Sequence, residues 1–347
     1  MSAPLNRRRQ ALTALGLAMV LLVAGLAATF VKDTGTGLRA PPATLTPRLT
    51  DAPGMAAEIM VTTATESFRL RRSLEGWVLA SHDNYEADAE RAEWLVEALS
   101  SLEPVGERTR LSSQHERLSL GDPVEGGNAA RVVVRDNNQR ELANLLIGAQ
   151  RQDGRIYVRR DGEDQSWLVR GYLPEFANAA DWMQLEFLSL GRDAIREACV
   201  HPEEGPAYCL QRRLLSSQSF ELVSPRGWTL VSSGAGDGVA TVLGRIRFRG
   251  VRPLRDVRRP SIAEHRVTTI TGLEVTLSIR EADGQYWAGI IAVAHSDAAR
   301  PDAIRLNERA DGFAFALSDL SVERLIRPLE DIAVSNMAGD APSNSTS

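Results

Sequence analysis

Residues 131–169 read RVVVRDNNQRELANLLIGAQRQDGRIYVRRDGEDQSWLV. Four short apolar runs, Val132–Val134, Leu142–Ile147, Ile156–Val158 and Trp167–Val169, are separated by Asp136-Asn137-Asn138, Asp153-Gly154 and Asp161-Gly162. Each run has strand length, and the Asp- and Gly-containing breaks supply the positive φ of tight hairpins, so the segment predicts an antiparallel meander. Upstream, Glu58–Thr63 and Ser67–Ser81 alternate polar and apolar residues, with Phe68, Leu70, Trp77 and Leu79 on one face and Glu75-Gly76 at the turn. Between these strands and the meander the period changes. Ala92, Leu95, Val96, Leu99 and Leu102 recur at helical spacing, Glu86, Asp88 and Glu90 precede them and Pro104 follows, which predicts an amphipathic helix over 88–102 lying on one sheet face. Strands, a helix and more strands define an α+β class with antiparallel meanders packed against short helices, not a doubly wound parallel sheet.

The second half echoes the first. Phe68-Arg-Leu and Gly76-Trp77-Val-Leu resemble Phe220-Glu-Leu and Gly227-Trp228-Thr-Leu, and each pair leads into a helical segment, 88–102 and 238–246. Leu273, Val275, Leu277 and Ile279 alternate, and Asp283-Gly284 introduces Tyr286-Trp287. Internal duplication and chance similarity between two β-rich halves both fit this pattern. A short helix with Val322, Leu325, Ile326 and Leu329 on one face follows Ser321 and is limited by Pro328.

Ahead of the strands, Arg7, Arg8 and Arg9 stand before an uncharged run of 21 residues, 11–31. As a helix it would span about 31 Å, the thickness of a bilayer core. The charge asymmetry keeps residues 1–10 in the cytoplasm and exports the rest. A cleaved signal peptide, with Gly25 and Ala27 before the cut, is the competing reading. Residues 32–54, rich in Pro, Thr and Gly, read as a tether, 55–190 and 191–334 as two α+β domains, and 335–347 as a small, polar, disordered tail.

Beyond the three leading arginines the chain carries 37 basic residues against 45 acidic, a net charge of −8, which argues against nucleic acid as a partner. Lys32 is the only lysine, and runs such as Arg69, Arg71, Arg72 and Arg155, Arg159, Arg160 alternate with apolar residues as solvated faces of half-buried sheets. Cys199 and Cys209 flank a turn-forming stretch with Pro202, Gly205 and Pro206, so they face each other across a hairpin as a disulfide, with two free thiols as the alternative.

His82, His115, His201, His265 and His295 are scattered singly, which predicts no metal site and no cofactor; His201 with Glu203 and Glu204 reads as a solvated loop tip. Gly234-Ala-Gly236-Asp-Gly238 has Val239 where a dinucleotide fingerprint needs glycine, leaving Asp237 as a helix cap. Neither a hydrolase elbow nor a Walker loop is present. Trp77, Trp94, Trp167, Trp182, Trp228 and Trp287 sit mainly in apolar-patterned segments, as core residues do.

Several of these stretches together, Gly76-Trp77-Val-Leu, Asn84-Tyr85, Ala87-Asp88, Glu116-Arg-Leu-Ser-Leu-Gly-Asp-Pro123, Leu145-Leu-Ile-Gly148, Ile156-Tyr-Val-Arg-Arg160 and Gln165-Ser-Trp-Leu168, resemble the bacterial family called domain of unknown function 4340. The resemblance covers 58–190 and weakens from 217, where Asp283-Gly-Gln-Tyr-Trp287 is similar to a second copy. It implies a membrane-tethered envelope protein whose relatives are often encoded beside ABC-type transporter components, and it brings no catalytic residues. The sequence therefore predicts a non-enzymatic, single-pass inner-membrane protein with a periplasmic body that serves ABC transporter subunits. An enzyme acting on wall sugar or peptide, and a self-associating envelope module, are the alternatives.

Overall fold

The computed structural model describes residues 41–214 and 219–336. The expected anchor, 11–31, lies outside them, and among the described residues no helix is long and apolar enough to cross a membrane. The described residues from Thr44 to Asn336 form one compact unit holding two large sheets, and every strand pairing in them is antiparallel.

After the short helix α1 (Pro47–Asp51), β1 (Glu58–Thr62) and β2 (Ser67–Arg72) make a hairpin that β3 (Trp77–Leu79) and β4 (Tyr85–Glu86) extend to one edge. Helix α2 (Ala89–Ser100) then leads to β5 (Glu103–Glu107) at the opposite edge. The meander β6 (Ala130–Arg135), β7 (Glu141–Gln150), β8 (Arg155–Arg160) and β9 (Ser166–Arg170) fills the gap, giving the order β4-β3-β2-β1-β6-β7-β8-β9-β5. The meander and the helix fall where the sequence places them. Asp88 caps α2 by accepting from the Arg91 N–H at 3.0 Å, and Ala92, Leu95, Val96 and Leu99 are buried in the same core as Ile59, Phe68, Val132 and Val158.

The second sheet is built from β10 (Ile195–Pro202), β11 (Tyr208–Gln211), β12 (Glu221–Ser224), β14 (Val251–Pro253), β15 (Ala263–Thr269), β16 (Leu273–Ala282), β17 (Gln285–Ala294) and β18 (Phe313–Ala316). Its order is β12-β11-β10-β15-β16-β17-β18-β14; β13 (Trp228–Leu230) instead pairs with β19 (Ala333–Ser335) as a separate ribbon. Aligning β10–β12 with β1–β3, β14 with β5 and β15–β18 with β6–β9 makes the two orders identical, apart from the extra edge strand β4. The sequence echo is one strand out of step with this alignment, because it matches Phe68 in β2 to Phe220 ahead of β12, whereas sheet position matches β12 to β3.

Four sequence expectations are corrected. The expected tether to residue 54 is folded from Thr44: Leu45 and Leu49 are buried, Thr46 Oγ1 donates to Leu99 O at 2.9 Å, and Arg160 donates to the carbonyls of Leu45 and Thr44 at 2.8 and 3.1 Å. Two leucines among Pro, Thr and Ala are enough for that docking, and composition averages them away. The helix expected over 238–246 is one turn, α3 (Asp237–Ala240), followed by a 3₁₀ turn at Val242–Gly244; Gly238 and β-branched Val239, Thr241 and Val242 favour the early stop. At the C-terminus, Ser335 lies in β19 and the Asn336 N–H bonds Gly227 O at 2.7 Å, so the first two residues of the expected tail belong to the fold. Finally, the terminal helix α5 (Asp319–Leu325) is capped by Ser318, not Ser321, while its end at Leu325, three residues before Pro328, agrees with the expected limit.

Helix α4 (Arg300–Ala310) has no counterpart in the first half. Strand β17 pairs with β18 only at Trp287 and Ala288, which leaves the rest of that edge open. The Asn307 side chain closes it, accepting from the Ala292 N–H at 2.8 Å and donating to Ala292 O at 2.7 Å.

On the outer face of the first sheet, the loop after β5 lays Leu118 and Leu120 over Leu146 and Tyr157. A Cβ on Gly148 would stand 2.3 Å from Leu118 O, so this backbone approach requires glycine. The Gly148→Ala variant is expected to lose about 1–3 kcal/mol in denaturant unfolding, while Gly106→Ala, where a Cβ meets nothing within 4 Å, serves as the near-neutral control.

His265 on β15 is fully buried; its Nδ1 donates to Leu325 O at 2.8 Å and its Nε2 has no partner. Burial lowers its pKa to about 4, and the Leu325 hydrogen bond opposes this only in part. The folded state holds a neutral ring while the unfolded chain takes up a proton. Stability is therefore full above about pH 6.5 and falls as the pH drops towards 4, by up to about 3 kcal/mol. Chemical unfolding at pH 7.5 and 4.5 should show a smaller difference for His265→Leu than for the parent chain.

Candidate functional site

The two sheets meet along a seam. Tyr85 of β4 packs edge-on against Phe313 at 5.0 Å and Phe315 at 6.0 Å, and its hydroxyl donates to Gln184 O at 2.8 Å. Burial pushes this phenol's pKa up. Ion pairs flank the ring, Glu86 with Arg309 at 3.1 Å and Asp83 with Arg255 at 2.8 Å. The Arg255 hydrogen bond holds the Asp83 carboxyl below its ordinary pKa. Asp83 and Asn84 both have positive φ, 56° and 60°, a conformation their short polar side chains tolerate, and this sharp turn carries Tyr85 into the second half.

Beside the seam lies an open cleft of about 660 Å³. Glu66 and His82 line it from the first sheet, Asp181 from the connecting segment, and Arg249, Gly250 and Trp287 from the second sheet. Glu66 accepts from the Ala179 N–H at 2.9 Å, which fixes the connecting segment against the β1–β2 turn. His82 Nδ1 is 3.0 Å from Ser81 Oγ; burial lowers the pKa of the ring and the nearby Glu66 partly offsets this, so the ring is neutral at pH 7. The arrangement offers charged and hydrogen-bonding groups in a partly apolar setting.

The other histidines stay apart. His115 is buried under the outer loop with Nε2 2.9 Å from Asp164 O, His201 is exposed with Glu203 and Glu204, and His295 contacts Glu274 at 3.2 Å on the surface. Among the described residues the only cluster of potential metal ligands is Glu197 with Cys199 and Cys209, and those sulfurs are bonded to each other. Asp237 is the first residue of α3 and does not cap it; its carboxylate accepts from the Phe220 N–H at 3.0 Å and from Arg192. Trp77, Trp167 and Trp182 are buried, Trp228 and Trp287 half-buried, and Trp94 is exposed on the outer side of α2. Sequence reading passed over Glu66, Asp181 and Arg249, since only the packing of the two sheets brings them to one cleft.

The residues that carry the family resemblance serve turns, caps and packing. Gly76 turns the β2–β3 hairpin with φ 136°, Asp88 caps α2, and Asp122 accepts from the Val124 N–H at 3.0 Å and pairs with Arg131 at 3.3 Å. Arg131 also binds Asp161 at 2.6 Å, so one guanidinium ties the outer loop to the β8–β9 turn.

These features define a β-rich α+β protein of two antiparallel sheets with a cleft at their junction. Residues 77–219 match the family described as Domain of unknown function (DUF4340), bearing out the resemblance. The match runs from β3 through β11 and takes in the cysteine hairpin, so it spans parts of both sheets. No curated protein and no solved structure matches the chain.

Cys199 and Cys209 are directly opposed across β10 and β11, with Cα atoms 4.1 Å apart, and form the disulfide expected from their spacing. They lie on the solvent side, since Ala198, Val200, Tyr208 and Leu210 point into the core. Replacing both cysteines by serine is expected to lower unfolding stability by about 2–3 kcal/mol through the lost loop constraint. Thiol labelling of the denatured parent chain should detect free cysteine only after reduction.

Proposed function

We propose that this protein is a non-enzymatic, single-pass inner-membrane protein, held by residues 11–31, whose periplasmic body is an accessory or binding subunit of an ABC-type transport system. The observation that carries this reading is the use made of the family signature: Gly76, Asn84, Tyr85, Asp88, Asp122 and Gly148 all maintain turns, caps or packing. Groups in those roles hold a scaffold that presents a surface. The strand orders of the two sheets, identical apart from the edge strand β4, support descent from a duplicated half, giving two α+β lobes joined at the seam. Self-association by strand addition is less favoured. The edges of the two sheets are short or interrupted: β4 has two residues and packs on the second half, β5 carries Pro104, Pro225 follows β12, and β14 ends in Pro253.

The test is recovery of the tagged full-length chain from its own membranes after crosslinking in place, with an anchor-only chain as control. Mass spectrometry should find ABC permease or ATPase subunits only where the body is present. Recovery no different from the control would remove the transport reading.

A further inference from the structure

Strand β10 is held from both sides, by β11 and by β15, and Ala198, Val200, Tyr208 and Leu210 are buried beneath the hairpin. The Tyr208 hydroxyl donates to Arg327 O at 2.6 Å, which pins β11 to the C-terminal segment. None of these contacts runs through a sulfur. The strands therefore keep Cys199 opposite Cys209 whether or not the two are bonded.

Side chains alternate along β10, so Glu197 and Cys199 share its solvent face. A carboxylate oxygen of Glu197 and both cysteine sulfurs lie within 4.8 Å of one another. Glu197 is half-buried, and among the described residues neither a cation nor a hydrogen-bond donor pairs with its carboxylate. A carboxylate drawn partly out of water without a counter-charge carries a desolvation cost that a bound cation offsets. Arg266 stands opposite Cys199 on β15, but its guanidinium is engaged by Glu274 at 3.7 Å and Glu264 at 4.0 Å.

With the sulfurs bonded to each other, neither is a thiolate and the site is shut. A dithiol reductant opens it: the S–S bond takes up two electrons and two protons, leaving two thiols on the chain and a disulfide on the reductant. Rotation about each Cα–Cβ bond then parts the freed sulfurs, and a divalent cation displaces the two thiol protons. Two thiolates and one carboxylate suit a thiophilic cation such as Zn²⁺, whereas Mg²⁺ and Ca²⁺ take oxygen ligands. Three protein ligands leave the fourth tetrahedral position open to water or an incoming ligand.

We propose that the β10–β11 hairpin is a redox-gated site for a divalent cation of the zinc class, held by Cys199, Cys209 and Glu197 when the disulfide is reduced and excluded when it is formed. This goes beyond the accessory reading and does not depend on it.

The full-length chain in mild detergent is prepared as parent, as Glu197→Gln and with both cysteines replaced by serine. Each is reduced with a phosphine, freed of reductant by gel filtration under nitrogen, and titrated with Zn²⁺ against a chromophoric chelator. Cd²⁺ titration reads thiolate ligation from its ultraviolet charge-transfer band, and circular dichroism follows the fold. The reduced parent should keep its native spectrum, bind one equivalent of Zn²⁺ and develop the Cd²⁺ band. The oxidised parent and the double serine variant should show neither, and Glu197→Gln should bind Zn²⁺ at least about tenfold more weakly. Three results overturn the proposal: Zn²⁺ uptake by the reduced parent no greater than by the double serine variant, equal affinity of parent and Glu197→Gln, or loss of the native spectrum on reduction. None of them alters what the membrane crosslinking reports, so the two readings fail separately.

Discussion

An aromatic knot around Phe315 holds the two sheets in one body. Its ring, fully buried on β18, lies 5.0 Å from Phe187 of the connecting segment and 5.0 Å from Phe248 ahead of β14, and Tyr85 reaches it from the first sheet at 6.0 Å. Offset and edge-on ring contacts of this kind add to the area buried. The Tyr85 hydroxyl must find an acceptor once buried, and Gln184 O supplies it, so the knot has one orientation. The positions of the seam cleft, of the Asp83–Arg255 and Glu86–Arg309 ion pairs, and of the Ala87–Met183 bridge all follow from that docking.

The two halves solve one topological problem in the same way. A hairpin and a third strand start at one edge, the chain leads over to the far edge, and a meander fills the space between. The halves differ in what covers the remaining surfaces. In the first, the loop after β5 packs Leu120 on Leu146, and in the second, α4 closes the edge of β17 through Asn307. Each addition meets a specific need, an exposed apolar face in one case and an unpaired strand edge in the other. The family match crosses from the first sheet into the second, and it contains Tyr85, the first sheet's contribution to the knot.

Sequence and structure agree where the signal is local. The meander, the helix that begins after Asp88, the Asp283-Gly284 turn with both residues at positive φ, and the cysteine pair all depend on residues close in sequence. Agreement fails where a few side chains act at a distance. Leu45 and Leu49 turn a proline-rich stretch into part of the first core, and α4 passes unnoticed because Ala303, Leu306 and Ala310 make a weak apolar stripe that Pro301 opens. The echo between Phe68 and Phe220 reflects a shared strand–turn–strand pattern, which many hairpins can satisfy, so it does not define sheet position.

By itself the sequence determined the α+β class, the antiparallel meanders, the helix over the first sheet and the facing of the two cysteines across a hairpin, because alternation, helical period, turn residues and cysteine spacing are written in adjacent residues. The strand order, the docking of Thr44–Ala52 and the seam were decided only by tertiary structure. Glu66, Asp181, Arg249 and Trp287 are far apart in the chain and carry no common motif. They share a cleft because burying Tyr85 and Phe315 fixes how one sheet meets the other, and that long-range packing has no local signature.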